Sequence, residues 1–366
     1  MKKNPGEALI LAMETSCDDT SVAVVAGGRE VLSHLTASQM DFHCRFGGVV
    51  PEIASRKHLE ALSPMIQEAM DTAGVGRKDL DAVAVAYGPG LVGALLVGVA
   101  TAKAFAYGLS IPLVPVNHIM AHIYANFLVY PDIPFPLVAL VVSGGHTSLL
   151  YMEGHGRARV LGRTRDDAAG EAFDKIARAL NLGYPGGPLI DRLSREGNPE
   201  ALDFPRANLG EGGLYDFSFS GLKSAVLNYI HNARSRGEEI SLPDLAASFQ
   251  AAVVDALVEK TLAAVEACRA ETLLLAGGVA ANASLRRTFQ EKAGNRDFSL
   301  YIPPVNLCTD NAPMVAAAAH PLFFQGIWAP LDLNAVPRLS PEDLPPGRDD
   351  LCKVAGETVD INPLTR

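Results

Sequence analysis

The sequence has few of the features typical of disulfide-bonded, secreted or membrane proteins. It has five cysteines, with no pair at the C-x-x-C spacing, and an odd number at irregular spacing favours reduced thiols in a cytosol. No apolar run approaches a membrane span without interruption by Gly, Pro or a polar residue. The first short apolar run, from Ala8 to Met13, is too brief for a secretory signal. We therefore expect a soluble cytoplasmic protein that makes no membrane contact.

Positive charge is also scarce. Lys and Arg total 31 against 41 Asp and Glu, which leaves a net charge of −10 at pH 7. Neutralising phosphates requires clustered Lys and Arg, and the most basic stretch, from Arg157 to Arg165, runs directly into Asp166 and Asp167. If RNA is a substrate, partner proteins or a small local patch must help to hold it.

The composition that is present favours a compact α/β enzyme of two domains. The chain has 366 residues, is 48% hydrophobic and contains 33 glycines. Three prolines between Pro131 and Pro136 predict a junction. We expect an N-terminal lobe over 1–130, a C-terminal lobe over 131–307 and an irregular or mobile tail over 331–366. A helix within 308–330 is expected to rejoin the first lobe.

Two supersecondary patterns occur once on each side of that junction. One is a hairpin with a polar tip, and the other is a strand followed by a glycine turn and a helix. The hairpins are predicted around Glu14–Thr20 and Ser143–Thr147, and the glycine turns at Gly88–Gly90 and Gly277–Gly278. Such a duplication predicts a nucleotide held in a cleft between two lobes, although the chain has no P-loop motif. Residues His34 to Val50 are predicted to form a glycine-containing loop.

His118 and His122 are the candidate metal ligands. Residues four apart on a helix share one face, so both imidazoles can point at one ion. Asp310 supplies a carboxylate near the start of a later helix. The alternative is a pair of ordinary core or surface histidines, and the spacing alone leaves it open.

Several other polar residues have two interpretations each. Asp18 and Asp19 at a hairpin tip would repel a bare phosphate, so they predict an intervening metal or proton, or else an ordinary Asp-rich turn. Asp174 and Asp191 could bond ribose hydroxyls or cap helices. The alternating stretch before Lys223 could bring that lysine to the cleft. Cys17 and Cys308 have no activating partner in the sequence, and we interpret both as structural.

Eight motifs, in order along the chain, resemble the TsaD family of tRNA threonylcarbamoyladenosine transferases. The motifs are Glu14-Thr15-Ser16-Cys17-Asp18-Asp19, Gly88-Pro89-Gly90-Leu91, the His118/His122 pair, Ser143-Gly144-Gly145-His146-Thr147, Asp167 to Asp174, Phe217 to Lys223, Ala276-Gly277-Gly278-Val279 and Cys308-Thr309-Asp310-Asn311. The resemblance spans about Leu9 to Gly326.

This resemblance implies a two-lobed α/β fold, like actin and the sugar kinases, with duplicated domains and an interlobe nucleotide cleft. It implies transfer of the threonylcarbamoyl group from threonylcarbamoyl-adenylate to N6 of adenosine 37 in tRNAs that read ANN codons, with release of AMP. It also implies two bacterial partners, a paralogue (TsaB) that forms a heterodimer and a small ATPase (TsaE). Archaeal and eukaryotic members use a different assembly that includes a kinase-like protein.

The resemblance also implies roles for individual residues. His118, His122 and Asp310 match the family's ligands for one divalent metal, Fe(II) or Zn(II), and Asp18 matches an acidic residue near the reacting carbonyl. The adenylate site, which ATP, ADP or AMP can also occupy, matches Val141, Val142, Ser143, Gly144, Gly145, Asp174, Gly187, Asp191 and Asn282. Family members often carry Glu where this chain has Met120.

Two other functions compete with the transferase. A metallopeptidase of the H-E-x-x-H type needs a glutamate next to the first histidine, and the residues between His118 and His122 include no such base. A nucleotide-binding scaffold or ATPase that regulates partners fits the same fold, and steady ATP turnover without tRNA would favour it.

Overall fold

Two five-stranded sheets form the framework of the computed structural model, which describes residues 7–207, 209–210, 213–294 and 296–343. The strands of the first sheet are β1 (Leu9–Glu14), β2 (Asp19–Ala26), β3 (Glu30–Ser38), β4 (Ala82–Gly88) and β5 (Leu113–Asn117). The strands of the second sheet are β6 (Leu137–Val142), β7 (Thr147–Gly154), β8 (Arg157–Arg163), β9 (Thr272–Ala276) and β10 (Ser299–Tyr301).

The two sheets share one strand plan. Their orders are β3-β2-β1-β4-β5 and β8-β7-β6-β9-β10. In each sheet the first strand of the chain forms an antiparallel hairpin with the second, which pairs antiparallel with the third. On its other side, the first strand pairs in parallel with the fourth, and the fourth with the fifth. The predicted duplication is therefore confirmed in the fold.

Ten helices connect and cover the sheets in the described part of the chain. They are α1 (Met40–His43), α2 (Pro51–Ala73), α3 (Val92–Leu109), α4 (His118–Val129), α5 (Ala169–Ala179), α6 (Gly186–Ser194), α7 (Ser220–Arg236), α8 (Leu242–Cys268), α9 (Ala283–Ala293) and α10 (Ala312–Phe324). The β1–β5 sheet with α1 to α3 is called lobe 1, and the β6–β10 sheet with α5 to α9 is called lobe 2.

The two sheets and the helices that cover them form five layers, because alternate residues of each buried strand face opposite sides of its sheet. Ile10 and Ala12 of β1 face a core that also contains α4 and α10, whereas Leu11 and Met13 face a core with α2 and α3. The second sheet repeats this arrangement, with alternate β6 residues facing α4 and the helices of lobe 2. Helices α4 and α10 therefore lie between the two sheets.

Helix α3 packs closely on its neighbours through glycine. A Cβ added at Gly93 would lie 2.3 Å from Oγ of Ser55, and one added at Gly98 would lie 2.4 Å from Oγ1 of Thr15. Only glycine permits such close packing at these two positions. The helix has the length and apolar composition of a membrane span, but one face is buried in lobe 1, as in the core helix of a globular domain.

The predicted loop over His34 to Val50 was wrong at its start, and one strand of the second sheet was not predicted from the sequence. Residues His34 to Ser38 belong to β3, and Arg157 to Arg163 form β8. Both are strands with polar or charged residues on one side, which hides the apolar alternation. Asp166 and Asp167 precede α5, and Asp166 accepts hydrogen bonds from the backbone of Phe219 and Ser220 at the start of α7.

The first part of the predicted tail packs on the lobes. Residues 327–343 form no helix or strand, yet Leu333 and Leu339 are buried in the core of lobe 1. Lys103 donates to the Leu333 carbonyl, and Oε1 of Glu342 accepts from the Val160 backbone in lobe 2, at 2.7 Å. The tail was predicted over 331–366, and its part from residue 344 onward lies outside the described residues.

Candidate metal and nucleotide site

The metal-ligand candidates meet at the starts of the two central helices. Asn117 caps α4 by accepting from the backbone of Ile119 and Met120, which places His118 in the first turn and His122 one turn later. Asn311 caps α10 in the same way and places Asp310 immediately before that helix. Each of the two helices begins at this point because an Asn at the end of the preceding strand or turn caps its first backbone N–H groups.

The three side chains fit one divalent ion. Their ligand atoms all lie within 4.8 Å of one another. Oδ1 of Asp310 lies 3.2 Å from Nε2 of His122 and 3.7 Å from Nε2 of His118. Both ring nitrogens of His122 are buried and make no hydrogen bond to the described residues, and such a group is costly without a further partner. The donor set of two imidazoles and a carboxylate suits Fe(II) or Zn(II).

Glu14 fixes the orientation of His118, and sequence reasoning did not assign it this role. Oε2 of this fully buried carboxylate lies 3.0 Å from Nδ1 of His118, and Oγ of Ser16 lies 3.1 Å from the same nitrogen. The ring is therefore held with Nε2 directed toward Asp310. Burial lowers the pKa of His118, but Glu14 and Asp310 outweigh it and raise the pKa to about 9.

The histidines of the cluster affect the pKa values of Asp310 and His146. Burial raises the pKa of Asp310, but His118 and His122 outweigh this effect and hold the pKa well below its usual range. His146 lies beside them, with its ring centroid 6.2 Å from that of His118. Burial, reinforced by His118 and His122, lowers the pKa of His146 to about 4, so this ring is neutral near pH 7.

The Ser143–Gly145 turn connects the cluster to the predicted adenylate site. Val141 and Val142 are buried in β6, and the turn follows at the carboxyl end of that strand. The Ser143 backbone and hydroxyl both bond to the backbone of His146. A Cβ added at Gly144 or Gly145 would meet nothing within 4 Å, so the turn faces open space.

Two further glycine segments lie against this turn. Gly277 has a φ of +89°, and a Cβ there would lie 2.4 Å from the Val142 carbonyl oxygen, so the turn after β9 packs on the end of β6. Gly170 at the start of α5 approaches the Ser143 carbonyl oxygen in the same way, at 2.6 Å. Only glycine permits these close approaches.

The other predicted adenylate residues have different surroundings. Asp174 accepts from the Gly186 backbone at 2.7 Å, next to Gly187, where an added Cβ would again meet open space. Asp191 pairs with Arg195 at 2.9 Å. Asn282 caps α9 through Oδ1 and donates to Gln250 through Nδ2. Asp174 and Asp191 could therefore serve as structural groups, ligand-binding groups or both, and Asn282 already has partners for both ends of its amide.

Asp18 and Asp19 lie at the tip of the β1–β2 hairpin, on the lobe 1 side of the cleft. Burial, reinforced by the charges of Asp18 and Glu171, raises the pKa of Asp174 in lobe 2. Burial, reinforced by Asp310, Asp18 and Glu14, raises the pKa of Asp19 to about 6 against an opposing hydrogen bond from Ser38. Oδ1 of Asp19 is buried without a hydrogen-bond partner among the described residues.

Lys223, Cys17 and Cys308, which the sequence analysis discussed, lie in structural positions. Lys223 pairs with Asp167 at 2.5 Å, and Asp167 also pairs with Lys175. Burial raises the pKa of the Cys17 and Cys308 thiols, which keeps both protonated and agrees with a structural role. The described cysteines are free, and Cys352 lies outside the described residues.

The fold and the site define a two-lobed α/β protein of the actin-like class with a His–His–Asp cluster beside an open glycine turn. Solved structures support the fold: HypF from T. kodakarensis matches 87% of this chain and 48% of its own, with a TM-score of 0.60 and 15% identity. Component A of (R)-2-hydroxyglutaryl-CoA dehydratase from Acidaminococcus fermentans matches 86% of this chain and 98% of its own, with a TM-score of 0.50 and 13% identity.

The family follows from closer relatives. The model of the family TsaD, tRNA N6-adenosine threonylcarbamoyltransferase, matches residues 30–317. Proteins of that name from Moorella thermoacetica and Geobacillus kaustophilus are 57% and 61% identical, over 93% and 91% of this chain and 99% and 97% of their own. The chain belongs to the TsaD family, and the resemblance predicted from its eight motifs is confirmed.

Proposed function

We propose that this chain transfers the threonylcarbamoyl group of threonylcarbamoyl-adenylate to N6 of adenosine 37 in tRNAs that read ANN codons. The observation that carries the proposal is the position of the His118/His122/Asp310 cluster beside the open Ser143–Gly145 turn, in a chain of this family. The test is incorporation of labelled threonine from the preformed adenylate into tRNA. Steady ATP hydrolysis without any transfer would instead favour a regulatory ATPase.

The resident metal is proposed to be Fe(II) or Zn(II), held by His118, His122 and Asp310. When bound, it would act as a Lewis acid and a template for the acyl and phosphate oxygens. Glu14 holds His118 through Nδ1, which keeps Nε2 available to the ion.

The adenylate is proposed to bind at Val141, Val142, Ser143, Gly144, Gly145, Asp174, Gly187, Asp191 and Asn282. The open turn lets the backbone N–H groups of Gly144 and Gly145 approach the phosphate, because no Cβ intervenes. Asp174 and Asp191 are the candidates for the ribose hydroxyls. ATP, ADP or AMP would occupy the same position.

Because the acyl group of the adenylate is already activated, the reaction needs a base and correct orientation of the amine, and it does not need a covalent nucleophile from the protein. The N6 amine forms a bond to the threonylcarbamoyl carbonyl carbon while the bond from that carbon to the phosphate oxygen breaks, and AMP leaves with the electron pair. One proton of the amine must be accepted by a nearby base. Asp18, at the tip of the β1–β2 hairpin, is the proposed base.

A pair of variants distinguishes Asp18 from its neighbour. We expect Asp18→Asn to lower single-turnover transfer by roughly 10²- to 10⁴-fold, as for loss of a general base. A carboxylate must be ionised to accept a proton, so transfer that depended on Asp19 would rise with pH through about 6. The pH profile of each Asn variant is the measurement, with AMP affinity as the control. Unchanged transfer by Asp18→Asn, with loss in Asp19→Asn, would move the role to Asp19.

The partners are proposed to be the paralogue TsaB and the small ATPase TsaE, because the named relatives are bacterial. One face of α3 is buried in lobe 1, and the other exposes Val92, Leu96 and Tyr107, the last at 75%. A row of apolar residues on a helix surface suits packing against a partner helix.

The chain is also proposed to be cytoplasmic and to make no membrane contact.

We expect the isolated chain to transfer threonylcarbamoyl to tRNA slowly or not at all. With a net charge of −10, it is repelled by the polyanion and neutralises few phosphates. Single-turnover transfer from the preformed adenylate, with and without the partners across a salt series, measures this. Full-rate transfer by the chain alone at physiological salt would contradict the expectation.

A further inference from the structure

A compact group of exposed aromatic and cationic side chains stands where the two lobes approach each other. It comprises Met40, Phe42, Arg45 and Phe46 of the segment after β3, with Lys57 of α2, and is called the mouth patch. The exposed fractions of Phe46 and Phe42 are 62% and 40%. Single exposed apolar residues are normal on protein surfaces, but three within seven residues form a patch.

The mouth patch lies over the cleft, because its segment reaches lobe 2. Sγ of Cys44 donates to the Tyr184 carbonyl oxygen at 3.3 Å. The Arg178 guanidinium lies against Gly48, where an added Cβ would be 3.1 Å from it. The backbone N–H of Gln39, just before the patch, donates to the Asp18 carbonyl at the hairpin tip. The patch is therefore connected both to the proposed base and to the adenylate lobe.

One ring of the mouth patch, that of Phe42, already binds two cations. Nζ of Lys57 lies 4.5 Å from the centroid of the Phe42 ring, and the Arg45 guanidinium lies 6.0 Å from it. Residues 40–60 balance three acids with three Lys and Arg, and Arg178 adds a cation from the other lobe. This surface thus lacks the acidic excess that the whole chain carries.

We propose that the mouth patch binds the single-stranded loop of the RNA substrate, with Phe46 as a stacking platform for an unpaired base. Sequence-tolerant recognition of unpaired nucleotides combines exposed aromatic rings with nearby Lys and Arg. A base that reacts at the cleft must leave its stack, and an aromatic ring at the mouth replaces the lost stacking. The inference rests on the proposed tRNA substrate and specifies which residues hold it.

A protein partner is the competing occupant of this surface. The exposed row of Val92, Leu96 and Tyr107 on α3 offers such a partner an apolar helix surface, whereas the mouth patch combines its rings with cations. The positions of Lys57 and Arg45 on the Phe42 ring favour the nucleic acid.

The test compares RNA binding by the full chain, alone at low salt and with its partners at physiological salt. The probe is a labelled anticodon stem–loop RNA, followed by fluorescence anisotropy. We expect Phe46→Ala to weaken RNA binding by about 5- to 100-fold, the range for loss of one stacked base. Phe46→Trp should restore it, and AMP affinity should stay unchanged. Trp328→Ala, which removes a 47% exposed ring outside the patch, is the matched control.

Transfer kinetics give a second measurement. Because the patch holds substrate without reacting, the KM for tRNA should rise more than kcat falls in Phe46→Ala and Arg45→Ala. RNA affinities within twofold of wild type for both Phe46→Ala and Phe42→Ala would overturn the inference. So would weaker binding of a partner protein with unchanged RNA affinity. Patch-dependent RNA binding without any threonylcarbamoyl transfer would support the patch and refute only the proposed activity.

Discussion

Purified His122→Ala should contain almost no bound metal and should have lost transfer activity, while its fold remains. His122 is the ligand with both ring nitrogens buried and without hydrogen-bond partners among the described residues, so no protein group compensates for its loss. A Lewis acid contributes several kcal/mol, which corresponds to a drop in transfer of roughly 10³-fold. The measurements are metal content per chain, single-turnover transfer and thermal unfolding.

The fold should survive because the contact that is lost, between Nε2 of His122 and Oδ1 of Asp310 at 3.2 Å, is confined to the cluster itself. A buried substitution of this kind costs roughly 1–3 kcal/mol, less than the stability of a typical domain. His231→Ala, which removes an exposed histidine of α7, is the matched control and should keep both metal and activity. An unchanged metal content in His122→Ala would show that the ion, if present, is held elsewhere.

The predictions that succeeded depended on local patterns. The β1–β2 and β6–β7 hairpins, and the strands β4 and β9 that precede the two glycine turns, are apolar runs that end in polar or glycine turns, and these elements were located. Helical spacing placed His118 and His122 on one face without further information. Asp310 was a candidate carboxylate near the start of a later helix, and only the resemblance to the family assigned it to the same ion, since periodicity cannot connect residues so far apart.

The elements that were missed depend on contacts that spacing does not show. Glu14 lies 104 residues from His118, and only the fold brings its carboxylate to Nδ1. Strand β8 carries Arg157, Arg159 and Arg163, and these charges hide its apolar alternation. The segment after β3 was interpreted as a plain loop, so the exposure of Phe42 and Phe46 became visible only in three dimensions.

Gly144→Val should weaken nucleotide binding strongly without unfolding the chain. The added Cβ would meet no protein atom within 4 Å, and the φ of Gly144 lies outside the left-handed region, so the backbone accepts valine. The new side chain would fill the space through which a phosphate approaches the backbone. Loss of two hydrogen bonds to a charged group, at about 1.5 kcal/mol each, corresponds to roughly 10²-fold weaker binding of AMP.

Two other glycine variants separate ligand exclusion from damage to the fold. Gly154→Val adds the same side chain at the end of β7, also in open space, and should leave both AMP affinity and unfolding temperature unchanged. Gly170→Ala would place a Cβ 2.6 Å from the Ser143 carbonyl oxygen and should lower both, because the turn itself must shift. Calorimetric titration with AMP and thermal unfolding of the three variants measure these effects. If Gly144→Val bound AMP as tightly as wild type, the open space at this turn would not be where the phosphate lies.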